Sequence, residues 1–294
     1  MNKANGVRLA LLALLWGSSF LWIKLALRGF SPVQLVFLRL LLGFAVLAPI
    51  VMLRRLPVPQ GITVWAHLFV AALIANAVPY VLFGIGEQTV DSSVAGVLNA
   101  TTPLWTVVVA YLAGTDRAVT FLRAGGIALG FLGTILIFSP WESAGEIASP
   151  GGLACLAASA SYGVSYVYMG RFLAGRGIAP LTLSAGQLGA ATVLLALALP
   201  VSGGQAITWR VDAVASVVVL GVLGTGAAYV LNYRLIADVG PTAASVVTYL
   251  LPAVAVVLGA VFLAETPTAA MVGGTVLVLA GVLLTQRAGK PRRS

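Results

Sequence analysis

Ten stretches of mostly apolar residues follow one another along this chain, and they constrain its fold more than any other feature. A helix needs about 20 such residues to cross the hydrocarbon core of a bilayer. The stretches are Val7–Leu27, Val33–Leu53, Trp65–Gly86, Ser92–Leu112, Thr120–Ser139, Gly151–Gly170, Leu181–Pro200, Val211–Asn232, Ala243–Leu263 and Thr268–Gln286. The connectors are too short to form an extramembrane domain. We therefore predict an all-α polytopic membrane protein with ten transmembrane helices and both termini on one side.

Composition excludes most soluble classes. Hydrophobic residues make up 60% of the chain and charged residues 9%, whereas soluble domains carry about 25% charged residues. One cysteine, Cys155, and one histidine, His67, exclude an internal disulfide and a metal site built from those residue types. A Walker-type phosphate loop does not occur, so we expect no cofactor and no ATP-driven step. The basic residues behind the net charge of +9 are scattered between apolar stretches, which argues against nucleic acid as a partner.

The distribution of charge predicts the orientation. Thirteen of the 17 basic residues fall on the side that holds both termini, and six of the eight acids fall on the other side. Because cytoplasmic loops of membrane proteins are enriched in lysine and arginine, both termini are predicted to be cytoplasmic. The first stretch continues past Trp16 without a small-residue cleavage site, so we expect a retained helix rather than a signal peptide.

An internal repeat divides the chain. The Tyr-Val-Leu sequence that begins at Tyr80 recurs at Tyr229, and Pro103 recurs as Pro252, both at an offset of 149 residues. Such a constant offset over most of both halves indicates duplication.

The repeat predicts a first five-helix domain over residues 1–140, a second over 150–286 and a basic cytoplasmic tail over 287–294. Because five is an odd number, the second copy must enter the membrane from the opposite side. Inverted repeats of this kind are the architecture of many secondary transporters, whose halves exchange conformations around a central site.

The combined motifs resemble the EamA family of the drug/metabolite transporter superfamily. They comprise Trp-Gly-Ser-Ser-Phe at 16–20, Pro32 followed by Arg39 in the second stretch, a proline within the fourth, and ten spans in two halves. Within that family the chain is most similar to the bacterial aromatic amino-acid exporters. The resemblance implies a bacterial inner-membrane exporter whose first, third, fourth, sixth, eighth and ninth helices line a cavity. In the second half Tyr162 replaces the tryptophan and Gln187 stands opposite Arg39, so substrate contacts need not be symmetric.

Polar and aromatic side chains at membrane depth are the candidate substrate contacts, because such groups are rare in lipid without a function. Aromatic faces attract cations, and an amino acid presents both a cation and an apolar side chain. For any single Ser or Thr residue, hydrogen bonding within a static bundle is the favoured explanation. The predicted contacts are Trp16, Asn76, Tyr80, Asn99, Thr102, Trp105, Tyr162, Tyr166, Tyr229, Thr248 and Tyr249.

Two further pairs of residues are candidates for a hinge and for a gate. Pro103 and Pro252 each free a backbone carbonyl near mid-membrane, which predicts paired hinges, with a tolerated kink as the alternative. Arg39 and Glu87 are predicted to form an outer gate or to hold a substrate carboxylate. The alternative for Arg39 is an arginine that extends toward the membrane surface and has a structural partner.

These features together predict a secondary transporter that exports amino acids of varied side chain, aromatic ones included, by alternating access. The alternatives are export of other small metabolites or drugs, or a non-transporting membrane scaffold or sensor. An enzyme is disfavoured because no nucleophile–base constellation occurs. The expected partners are amino acids and the lipid bilayer, and the protein is expected to work as a monomer, a dimer being the alternative. Glycines in the fifth and tenth helices indicate either an internal packing seam or a dimer face.

Overall fold

The computed structural model describes residues 3–90, 92–115, 120–138, 141, 149–202, 206–251, 253–254 and 268–288. Across those residues the chain is helical and contains no strand. The α-helices are α1 (Lys3–Gly17), α2 (Ser19–Ala26), α3 (Pro32–Leu53), α4 (Ile62–Ala72), α5 (Val78–Gly86), α6 (Ser92–Asn99), α7 (Thr102–Leu112), α8 (Phe121–Phe138), α9 (Pro150–Phe172), α10 (Pro180–Ala198), α11 (Val211–Gly221), α12 (Ala228–Val239), α13 (Pro241–Ser245) and α14 (Ala269–Ala288). Two π-helical turns, Leu73–Ala77 and Val222–Ala227, and a 3₁₀ turn, Leu199–Ser202, complete the set.

The described helices group into ten segments at the positions of the ten predicted spans, and we number the spans accordingly. Span one is α1 and α2, span three is α4 to α5, span four is α6 and α7, span eight is α11 to α12, and span nine begins with α13. Six spans are long and apolar enough to cross a membrane, and shorter apolar helices lie in spans five, nine and ten. The predicted all-α polytopic membrane fold is confirmed. The predicted basic tail lies outside the described residues from position 289 onward.

Span one is interrupted at its Trp-Gly-Ser-Ser motif, where α1 ends at Gly17 and α2 begins at Ser19. The hydroxyls of Ser18 and Ser19 both donate to the carbonyl of Leu15, at 3.2 and 2.9 Å, a bonding mode that bends helices. A Cβ atom on Gly17 would lie 2.9 Å from the Cβ of Val254 in span nine. The motif therefore combines an interruption of the helix with close approach of a second helix.

Prolines begin several spans, which explains why they recur in the repeat. Pro32 follows Ser31, whose side chain accepts from the backbone N–H of Gln34, while the Gln34 side chain accepts from the N–H of Ser31. Pro180 also begins a span, span seven, although its preceding residue Ala179 offers no side-chain cap. A proline suits the first helical turn because its missing N–H has no acceptor there.

Spans three and eight each contain a π-helical turn, at positions 149 residues apart. The sequence stretches predicted uninterrupted helices here, and the structure differs. In span three the physical reason is Pro79, which lacks the N–H that would bond the carbonyl of Ala75. That carbonyl accepts instead from the hydroxyl of Tyr229, at 2.8 Å. Such turns inside α-helices occur frequently at functional sites.

Spans five and ten form a glycine seam, which favours the internal interpretation of these small residues. A Cβ atom on Gly126 would lie 2.8 Å from the carbonyl oxygen of Gly281, and one on Gly133 would lie 2.6 Å from that of Gly274. Such distances leave no room for a side chain, so the two backbones touch directly.

Candidate functional site

A cavity opens among spans one, two, three, four, six, eight and nine. It contains about 910 Å³ of space not filled by atoms, its open mouth included. The six helices expected to line a cavity all contribute, and span two joins them. The lining residues are Trp16, Ser19, Ile23, Leu35, Val36, Arg39, Ala75, Tyr80, Phe83, Gly84, Glu87, Asn99, Tyr162, Ser165, Tyr166, Met169, Tyr229, Asn232, Thr248 and Leu251.

Most of the predicted contacts lie in this lining. They are Trp16, Tyr80, Asn99, Tyr162, Tyr166, Tyr229 and Thr248, together with Arg39 and Glu87. The lining does not include Asn76, Thr102, Trp105, Tyr249 or Pro103. Pro252 lies outside the described residues.

Aromatic rings form the cavity walls. Tyr162 stacks on Phe83 with 5.9 Å between ring centroids and meets Tyr80 edge-on at 6.4 Å. Across the cavity, Trp16 meets Tyr229 edge-on at 6.4 Å. Edge-to-face and offset-stacked contacts of this kind fix ring positions, so the walls are preformed.

Arg39 is a buried guanidinium on one wall, with 6% of the residue exposed. Its Nε atom donates to the hydroxyl of Thr225 at 2.6 Å, and one terminal nitrogen donates to the carbonyl of Gly224 at 3.4 Å. Its central carbon lies 4.2 Å from the ring centroid of Tyr80. Hydrogen bonds and an aromatic face offset part of the cost of removing this cation from water.

A chain of hydrogen bonds that includes Tyr229 holds Asn76. Gln187 accepts from the hydroxyl of Tyr233 and donates to the Oδ1 atom of Asn76 at 2.6 Å. Asn76 donates through Nδ2 to the hydroxyl of Tyr229 at 2.6 Å, and that hydroxyl donates to the carbonyl of Ala75. Both polar atoms of the Asn76 side chain have a protein partner, so here it positions Tyr229, which lines the cavity.

The remaining predicted contacts pack between helices. The Cβ atom of Trp105 lies against Gly163, where an added Cβ would come within 2.4 Å of it, and the ring of Tyr249 fills a notch at Gly130 in span five. Thr102 begins α7 and is followed by Pro103, both buried. Span four is interrupted between Asn99 and Thr102, so the predicted Pro103 hinge coincides with a break in the helix.

Asn232 belongs to the lining although the predicted contacts omit it. It follows Tyr229 by three residues in α12, and residues three apart share a helix face. The three-residue spacing from Tyr229 is therefore the sequence feature that could have predicted Asn232 as a lining residue. Ser19, which belongs to the motif at 16–20, and Met169 also line the cavity. Nothing in the sequence context of Met169 distinguishes it from a packing residue.

Spans one and eight, which both line the cavity, are joined near both of their ends. Arg8 donates to Asp238 and to the side chain of Asn5, both at 2.6 Å. At the other end Arg28 lies 3.4 Å from Asp212. These two pairs fix one helix against the other along their length.

Comparison with known proteins places this geometry in a family. A model of the EamA-like transporter family matches residues 5–139 and again 149–287. The uncharacterized transporter YdfC of Bacillus subtilis is 28% identical over 92% of this chain and 87% of its own length. An uncharacterized transporter of Archaeoglobus fulgidus is 27% identical over 95% and 97%, and the uncharacterized inner membrane transporter YedA of Escherichia coli is 28% identical over 84% and 79%.

The fold also matches a solved crystal structure with a TM-score of 0.78 at 22% sequence identity, over 97% of this chain and 96% of that one. The double match of the family model means that the chain carries two copies of the family's repeat. With two family copies, an all-helical membrane fold and a central cavity, this chain is a multi-pass membrane transporter that belongs to the EamA-like transporter family.

Proposed function

We propose that this transporter exports zwitterionic amino acids that carry apolar or aromatic side chains. One observation carries the proposal: of the described residues that line the cavity, two carry a formal charge, and they are opposite in sign, Arg39 and Glu87. A zwitterion presents one charge of each sign, so it complements such a site, whereas a ligand with net charge does not. The aromatic walls suit an apolar side chain of varied shape.

Arg39 also argues against organic cations as the main substrates. Its guanidinium is held in the cavity wall by Thr225 and Gly224, and it would repel a second cation in a region of low dielectric constant. The aromatic rings alone would accept cationic drugs. The comparison of zwitterions with cations therefore separates the amino-acid hypothesis from a drug-export hypothesis.

The transport cycle that we propose is alternating access between two inverted halves, residues 1–140 and 150–286. Both termini face the cytoplasm, as the distribution of basic residues predicts. The cavity lies within a single chain, which supports action as a monomer.

Counterflow in proteoliposomes tests the proposal. Purified protein is reconstituted with a high internal concentration of unlabelled phenylalanine, and uptake of external labelled phenylalanine is followed. Competitors are leucine, alanine, phenethylamine, 3-phenylpropionate and tetraphenylphosphonium. We expect the amino acids to compete and tetraphenylphosphonium to have no effect. Competition by the cation alone, or counterflow equal to that of protein-free liposomes, would overturn the proposal.

A further inference from the structure

We propose that Arg39 forms a carboxylate-binding subsite and that Thr225 is the residue that positions it. Two hydrogen bonds hold one edge of the Arg39 guanidinium against span eight, and a second edge receives both oxygens of a substrate carboxylate. This inference rests on the proposed function, and it specifies how the same cavity holds the acid group of its ligand.

The two hydrogen bonds of Arg39 use the edge formed by Nε and Nη2. The Nε atom donates to the hydroxyl of Thr225 at 2.6 Å, and Nη2 donates to the carbonyl of Gly224 at 3.4 Å. A guanidinium is planar and has five N–H donors in a fixed fork, so three donors are left. Its end-on edge presents one N–H of Nη1 beside the second N–H of Nη2, and that edge bonds to no residue that the structure describes.

Close packing of spans two and eight brings Thr225 to Arg39. A Cβ atom on Gly43 would lie 3.1 Å from the carbonyl oxygen of Gly221 and 3.1 Å from Cγ2 of Thr225. A Cβ atom on Gly221 would lie 3.0 Å from the carbonyl oxygen of Arg39. The two backbones therefore nearly touch where the helices cross. Because Arg39 and Gly43 are four residues apart and share a helix face, the crossing places the arginine beside the Thr225 side chain.

The carbonyl of Gly224 is held by a second donor. It accepts from the indole Nε1 of Trp16 at 3.1 Å as well as from Arg39, and a carbonyl oxygen has two lone pairs for two donors. Gly224 and Thr225 belong to the π-helical turn Val222–Ala227. Spans one, two and eight thus meet at this turn and fix the guanidinium in place. A cation fixed in advance loses less freedom when a ligand binds.

The chemistry of the end-on edge selects a carboxylate. The ring of Tyr80 lies 4.2 Å from the central carbon of the guanidinium and covers one face, while Arg39 lines the cavity. An aromatic partner and a rigid fork are the features that suit arginine to bind the two oxygens of a carboxylate in parallel. Such hydrogen bonds are strong because both partners are charged. An ammonium group has three donors and no acceptor, so it cannot bind this edge.

Binding of compounds that carry or lack a carboxylate tests the subsite. Purified wild type, Thr225→Val and Thr225→Ser are checked for folding by thermal unfolding and titrated with phenylalanine, 3-phenylpropionate and phenethylamine in a direct binding assay. Thr225→Val keeps the shape of the side chain and removes the hydroxyl. We expect it to weaken both carboxylates at least fivefold and phenethylamine by less than twofold. Thr225→Ser restores the hydroxyl and should return both carboxylates to within twofold of wild type.

Two further variants separate the fork from the charge and from the scaffold. Arg39→Lys keeps the positive charge but has no planar pair of donors, so 3-phenylpropionate should weaken at least tenfold. Ser161→Ala is the matched control, because Ser161 donates at 2.7 Å to the carbonyl of Ile74 in the π-helical turn of the other half. That link carries no charge and Ser161 is outside the cavity lining, so none of the three affinities should change more than twofold.

The outcomes separate this inference from the proposed function. If wild type binds phenylalanine but Thr225→Val weakens phenethylamine as much as 3-phenylpropionate, or Arg39→Lys binds the acid as tightly as wild type, the subsite assignment is wrong and the function stands. If wild type binds 3-phenylpropionate but not phenylalanine, the function is wrong, and selective loss of the acid in Thr225→Val still supports the subsite. If Thr225→Val does not fold, the acid affinity of Arg39→Lys decides. If wild type binds neither carboxylate, both are overturned.

Discussion

Arg39 donates a hydrogen bond to the hydroxyl of Thr225 at 2.6 Å, and the inverted repeat contains the same link a second time. In the other half Gln187 donates to Asn76, also at 2.6 Å. Thr225 follows Asn76 by 149 residues and Gln187 follows Arg39 by 148 residues. Each half thus fastens its second helix to the π-helical turn of the opposite half, but only one of the two links carries a charge.

Replacing the charged member by the residue of its counterpart separates these two roles. Arg39→Gln should keep a hydrogen bond to Thr225, since Gln187 shows that glutamine makes this link. We therefore expect a stability within about 1 kcal/mol of wild type. Binding of 3-phenylpropionate should weaken at least tenfold, because the carboxylate loses its cation. Unfolding in detergent and a binding titration measure the two effects. A variant that fails to fold would contradict the interpretation of this link as interchangeable.

Two buried asparagines should respond differently to the same substitution. Asn76→Leu leaves the Nε2 group of Gln187 without its acceptor and removes the N–H that the Tyr229 hydroxyl accepts. It should lower stability by about 1–3 kcal/mol, because a buried donor without an acceptor incurs a desolvation cost. Asn99→Leu removes an atom that has no protein partner, and it should leave stability unchanged or raise it. Thermal unfolding of both variants in one detergent provides the comparison. Equal losses would show that Asn99 has a structural partner in solution.

The sequence predicted the spans well and the roles of single polar residues less well. Span positions depend on stretches of about 20 apolar residues, a signal that local side-chain contacts do not alter. Asn76 and Asn99 both lie inside a predicted span, at least seven residues from either end, and no local pattern predicts which one has a protein partner. What separates them is Gln187, more than 80 residues away from either in sequence. Long-range contacts of this kind are invisible to a periodicity analysis.

The hydrogen-bond partners of Arg39 were also not predictable from the sequence. Its position within an apolar stretch predicted a buried cation that needs a partner, and the predicted partner was Glu87. The structure supplies Thr225, Gly224 and the ring of Tyr80. Two of these belong to a π-helical turn whose widened backbone the sequence did not indicate. Glu87 lines the same cavity, and its predicted role in an outer gate stays a prediction.

Neighbouring glycines in span five offer a matched test of the seam. A Cβ atom on Gly126 would collide with the backbone of span ten, whereas one on Gly125 would meet nothing within 4 Å. Gly126→Ala should lower stability by about 1–3 kcal/mol through overpacking. Gly125→Ala should raise it by roughly 0.5–1 kcal/mol, because alanine is the better helix former. Unfolding curves of the two variants measure these changes in stability. If Gly126→Ala left the stability unchanged, spans five and ten would have to separate readily.

The predicted orientation is testable with two exposed glutamines. Gln88 follows span three and Gln60 precedes it, so they must lie on opposite sides of the membrane. In a Cys155→Ala background, Gln88→Cys should react with an impermeant thiol reagent in intact cells. Gln60→Cys should react only after permeabilisation. The reverse pattern would place both termini outside, and a cysteine at Ala144, which lies beyond the described residues, provides a third reporter for the external side.

The aromatic wall predicts how substrate size enters recognition. Tyr162 contacts both Tyr80 and Phe83, so Tyr162→Ala removes the ring that joins the two and widens the cavity. Phenylalanine should then compete in counterflow about tenfold less well, equivalent to about 1.4 kcal/mol, because it loses an aromatic contact of that order. Alanine, whose methyl group does not reach the wall, should change by less than about threefold, or about 0.65 kcal/mol. Tyr168→Ala, on the same helix but outside the lining, should leave this ratio unaltered. An equal loss for both substrates would mean that Tyr162 supports the backbone-binding groups instead, and a larger loss for alanine would contradict the assignment of this wall to the side chain.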